Sequence, residues 1–115
     1  MILHTVTFTW KDGVPESSVE ALTRELKEMA SKLHMLRFYS CGRNLRLRPG
    51  GADFAVVSAV DDAESLHAYL DHPAHVAVLR TWTDHMIADR QAVQIEIPHL
   101  PGHTTQGIVD DVSDR

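Results

Sequence analysis

A chain of 115 residues is the size of one domain, and its formal net charge of −5 argues against nucleic acid or an anionic membrane surface as a partner. The single cysteine, Cys41, excludes an internal disulfide and suits a reducing, cytoplasmic setting. No apolar run approaches the ~20 residues of a transmembrane helix, so a membrane role is not expected either.

Ile2 to Trp10 alternates with the period of a strand. Ile2, His4, Val6, Phe8 and Trp10 share the face that belongs to the core, and His4 is the polar member of that set. The chain enters this strand directly, without a basic segment followed by an apolar one, so a secretory leader is not expected. Lys11-Asp12-Gly13 is a turn, and Ser17-Ser18-Val19-Glu20 then has capping-box spacing just after Pro15. Val19, Leu22, Leu26, Met29 and Leu33 recur at three and four residues, which predicts an amphipathic helix with an ordinary charged outer face.

Leu36 to Gly42 is a second short strand, and Arg43 to Gly51 a basic loop closing on Pro49-Gly50-Gly51. Phe54 to Val60 is almost continuously apolar, so the strand it predicts is covered on both faces. Helices can cover one face; this chain has no spare element for the other, which calls for a partner subunit. Asp61-Asp62-Ala63-Glu64 opens a second helix with acidic residues at its positive end.

That helix runs into Tyr69-Leu70-Asp71-His72-Pro73-Ala74-His75, where proline cannot continue a helical ladder but fits the first position of a new helix. The helix is therefore expected to end near Asp71, with His72 as a structural cap and a new helix from Pro73. Such a break can aim Tyr69 and His75 at one point. His75 falls in the first turn of the new helix, where the positive end of the helix dipole would keep its ring neutral. Beyond it Val76, Leu79 and Met86 form an apolar stripe. Asp89 to Ile97 is a last strand, with Val93, Ile95 and Ile97 inward and Gln94 and Glu96 outward. Residues 98–115 follow as a polar tail without periodicity, expected to be partly disordered.

The order β-α-β-β-α-β over residues 1–97 is the α+β, ferredoxin-like plan: a four-stranded antiparallel sheet with helices on one face. His4 in the opening strand, Trp10-Lys11-Asp12-Gly13, the strand from Phe54, and above all the Tyr69 to His75 run resemble the stress-responsive A/B barrel domain family. The resemblance implies a dimeric α+β barrel, a homodimer stacking the two bare sheet faces, which would supply the missing cover for Phe54 to Val60.

A polyketide cyclase of that family closes a linear polyketide by an intramolecular aldol reaction, and its tyrosine and two of its histidines match Tyr69, His75 and His4. Its third-strand histidine has no counterpart, since Phe54 and its neighbours occupy that region. The resemblance thus implies His75 as a base, Tyr69 orienting it or donating to a developing oxygen, and His4 positioning a carbonyl. Val6, Phe8, Phe54, Val76 and Leu79 would line a pocket for a small apolar or polyketide-like ligand.

No metal or organic cofactor is needed for that chemistry. His4, His72 and His75 could hold zinc, but no carboxylate stands fixed behind them. Other dimeric α+β barrels are oxygenases with aromatic-rich pockets, and only 6% of this chain is aromatic. The competing readings are a cofactor-independent lyase or cyclase, and a non-enzymatic stress-response or small-ligand-binding dimer.

Overall fold

A computed structural model describes residues 1–100. The expected disorder of the tail falls mostly on residues 101–115, outside the described residues. Strands β1 (Ile2–Trp10), β2 (Phe38–Arg43), β3 (Phe54–Val60) and β4 (Ile87–Glu96) form one antiparallel sheet in the order β2-β3-β1-β4. Helix α1 (Glu16–Ser31) follows β1, and the segment between β3 and β4 is broken into α2 (Ala63–Leu70), α3 (Pro73–Val78), a π-helical turn at Leu79–Thr83, and a single turn, α4 (Asp84–Met86). No helix among the described residues is long and apolar enough to cross a membrane.

The amphipathic stripe of α1 is used as its spacing predicts: Val19, Leu22, Leu26, Met29 and, just past its end, Leu33 are buried. They lie in one core with Val6, Phe8, Phe54, Val56, Val60 and Tyr69. The helix starts one residue before the expected box. Pro15 is its N-cap and no side chain caps it, because proline's fixed extended entry already sets the first turn. In the β2–β3 loop, Arg46 (φ 55°) reaches the Gly50 carbonyl at 3.0 Å and the Asp53 carboxylate, while Arg43 pairs with Glu16. Two of the loop's arginines are thus spent on intramolecular ion pairs.

The break at Pro73 has a definite hydrogen-bond logic. In an uninterrupted helix the Ala74 N–H would donate to the Leu70 carbonyl four residues back. Here it donates instead to His72 Nδ1 at 3.0 Å, and the Leu70 carbonyl is taken by His75 Nδ1 at 2.9 Å. Two imidazoles replace one broken backbone bond. Replacing His72 by Asn, which also caps, should leave stability nearly unchanged, whereas Ala should cost about 1 kcal/mol. Equal losses in urea titrations of the two variants would show that the imidazole itself matters.

The faces of β4 differ from expectation. Register pairs His4 with Gln94, Leu3 with Ile95 and Thr5 with Val93, so Gln94 shares the helix-covered face and the apolar residues lie on the other side. Val93 and Ile95 are 57% and 50% exposed. An alternating strand has an apolar side, but only its neighbour's register says which layer that side meets. The stripe after Pro73 is also displaced: His75, Val78, Thr83 and Met86 are buried, and Val76 only partly. Starting the helix at Pro73 puts His75, Val78 and Leu79 on one side, and the wider π turn carries that side on to Thr83.

Candidate active site

Successive strands place four polar residues in one row on the helix-covered side of the sheet. Tyr39 pairs with Ser58, Ser58 with His4, and His4 with Gln94. Tyr69 and His75 close over this row from the helices, their ring centroids 4.8 Å apart, and Tyr69 meets Tyr39 edge-on at 6.4 Å. A narrow cavity remains between the layers. His4, Tyr39, Tyr69, His75 and Arg90 give it polar walls, with Val6, Phe8, Val56, Leu26, Leu70 and Leu79 completing them. About 20 Å³ is open to the centre of a water molecule, room for about one water.

Of the residues expected at a pocket, the structure brings together His4, Tyr69, His75, Val6, Phe8 and Leu79. Phe54 and Val76 do not line this cavity. Phe54 pairs with Phe8 at the far end of the sheet from Ser58, stacking on Phe8 and meeting Trp10 at a tilt in an aromatic cluster. Val76 is carried off by the phase of α3. His72 is turned into its cap, and among the described residues no three His, Cys, Asp or Glu side chains group to hold a metal.

Hydrogen bonding fixes both tautomers. A carbonyl oxygen only accepts, so His75 Nδ1 carries the proton that goes to Leu70, and Nε2 keeps the lone pair. The Gln94 amide nitrogen donates to His4 Nδ1 at 2.8 Å, so the His4 proton sits on Nε2, a buried N–H without an acceptor. The hydroxyls of Ser58 and Tyr39 are likewise buried without a completed hydrogen bond.

The charges follow from burial. His4 is held below the ordinary 6.5 by burial first, then by Arg90 and His75. For His75 burial is also the largest cause, opposed by the bond to Leu70 and by Asp71, and helped by Arg90 and His72. Burial in the cavity thus replaces the expected helix dipole as the main reason for a neutral ring. Burial pushes the Tyr69 phenol up to about 12, against the pull of the Tyr39 and Ser58 hydroxyls. Tyr69 is a proton donor throughout the neutral range.

Both imidazoles take protons more readily unfolded than folded. Stability is therefore full above 6.5 and falls as the pH drops through that value towards the lower folded pKa values. The urea midpoint should decline on mild acidification, and less steeply in His75→Asn. A midpoint flat across that range would mean the rings are not held neutral.

Gln94 and Arg90 escaped the sequence reading, which turned Gln94 outward and gave Arg90 no part. The signal that could have found them is their spacing: Arg90, Ala92 and Gln94 share a face two residues apart, and only pairing with β1 identifies it as the face of His4.

The model of the stress responsive A/B barrel domain matches residues 2–97. An uncharacterized protein of Streptomyces coelicolor is 42% identical over 86 residues, covering 73% of this chain and 89% of its own length. A dimeric ferredoxin-like protein of unknown function from Thermobifida fusca superposes with a TM-score of 0.78 at 38% identity, over 84% of this chain and 90% of the other. The hydroxynitrile lyase of Passiflora edulis, at 11% identity, shares the fold alone, with a TM-score of 0.72 over 84% of this chain and 92% of its own. With the β-α-β-β-α-β order and the antiparallel ferredoxin-like sheet in place, the match across residues 2–97 shows that the chain belongs to the stress-responsive A/B barrel domain family.

Proposed function

We propose that the protein is a cofactor-independent lyase of the polyketide cyclase type, in which His4, Tyr69 and His75 carry out acid–base chemistry on an enolisable carbonyl compound. The observation that carries this reading is the buried His4 Nε2–H, which has no acceptor yet lines a cavity shared with His75 and Tyr69. A buried donor without a partner costs about 1–3 kcal/mol, and the carbonyl oxygen of a ligand would relieve it. His75 Nε2 takes the proton from the carbon beside that carbonyl, and the electron pair moves onto the oxygen. His4 Nε2–H and the Tyr69 hydroxyl stabilise the enolate as it forms. Val6, Phe8 and Leu79 supply the apolar wall.

The cavity's small volume favours substrates that insert only a reacting end. It equally supports a second reading, a non-enzymatic stress-response or ligand-binding protein whose motif residues serve packing and capping. Deuterium uptake from heavy water into small ketones and oxo acids separates the two. Uptake above the buffer rate supports the enzyme, and none with any such compound leaves the second reading.

The working unit of this reading is a cytoplasmic homodimer joined through the uncovered sheet face. Its support is the partly exposed Leu3, Val57, Val93 and Ile95 on that face, together with the dimeric state of the Thermobifida relative.

A further inference from the structure

We infer that Arg90 forms a carboxylate subsite at the entrance of the cavity, and that the substrate is an enolisable oxo acid. This deepens the acid–base reading and rests on it. Arg90 stands on β4 opposite Phe8, on the helix-covered face and two places from Ala92, so it shares a face with Gln94 and His4. It is among the residues that line the cavity and is itself exposed, so Arg90 stands at the boundary between cavity and solvent.

Arg37, Arg43 and Arg46 are each engaged by an acid, namely Asp61, Glu16 and Asp53. Among the described residues Arg90 has no such partner. Its charge is felt at both imidazoles, where it holds each ring towards the neutral form, with Asp71 opposing it at His75. On a chain of net charge −5, a cation at this entrance selects for an anion against the general field.

The size of the cavity agrees with that arrangement. Space for about one water admits a carbonyl oxygen and the carbon beside it, not a whole substrate. A carboxylate held at the rim by the guanidinium fork keeps part of its hydration while fixing the carbonyl end inward. His75 Nε2 then removes a proton from the methylene beside the carbonyl. The C–H pair becomes the carbon–carbon double bond, and the carbonyl pair moves to an oxygen held by His4 Nε2–H. Return of a proton or deuteron to carbon closes the cycle without any other reactant.

The test compares 2-oxobutanoate with butan-2-one, which differ by a carboxylate in place of a methyl group. Binding is followed by NMR shifts of the protein, and turnover by deuterium uptake into the methylene, in the wild type and in Arg90→Gln. The wild type should bind and exchange the oxo acid in preference to the ketone. Arg90→Gln should weaken oxo-acid binding about 10- to 100-fold, as for loss of a hydrogen-bonded charge, and the preference should vanish. A preference that survives in Arg90→Gln, or equal handling of the two probes by the wild type, overturns the subsite and leaves the acid–base reading in place. Arg90-dependent binding of 2-oxobutanoate without exchange upholds the subsite and removes the acid–base reading. Failure of the oxo acid to bind at all overturns the subsite.

Discussion

His75→Asn should leave a folded protein that has lost its turnover of enolisable carbonyl compounds by about 10²- to 10⁴-fold, the usual contribution of a general base. The asparagine amide can donate to the Leu70 carbonyl in place of Nδ1–H, so the helix junction survives while the basic nitrogen is gone. His75→Ala removes both functions, and should lose stability as well as turnover. Tyr69→Phe keeps the ring that fills the core and removes only the hydroxyl, with an expected loss on the order of 10- to 1000-fold if that hydroxyl meets the developing oxyanion. The pH profile supplies an independent check. Turnover should rise as His75 loses its proton, at a pH below the ordinary 6.5, and reach a plateau by neutrality. With Tyr69 titrating at about 12, no fall due to the phenol is expected at moderately alkaline pH. Full activity in His75→Asn, or a rate independent of pH, would remove His75 as the base.

For the proposed sheet-face dimer, the double substitution Val93→Asp with Ile95→Asp should yield monomers at micromolar concentration in sedimentation experiments. Both residues are half exposed or more in the protomer, so the fold itself should tolerate the change. In a two-fold symmetric interface each new carboxylate occurs twice, and like charges brought together there cost several kcal/mol. Since about 1.4 kcal/mol is tenfold, the dissociation constant should rise roughly a thousandfold or more. A dimer that persists unchanged would place the contact elsewhere, on the helices. The cavity variants and this pair are separable, because His4 and His75 lie on the helix-covered side and Val93 and Ile95 on the other.

Local chemistry alone determined much of this molecule. The three- and four-residue spacing from Val19 to Leu33 sets the buried stripe of α1, because a helix repeats its faces with that period whatever it packs against. Pro73 ends one helix and starts another for want of an N–H, and the alternation of β1 puts His4 among Val6 and Phe8 on the core side. What the sequence could not decide was which side of β4 meets the helices. Its strand period distinguishes two faces without naming them. Only the pairing of His4 with Gln94 turns Arg90 and Gln94 towards the cavity, and leaves Val93 and Ile95 bare. The same holds for Ser58 and Tyr39, which belong to separate strands and acquire a shared environment with His4 through sheet order alone. The size of the cavity is likewise tertiary: it is the space the rings of Tyr69 and His75 leave above that row, and no pattern along the chain measures it.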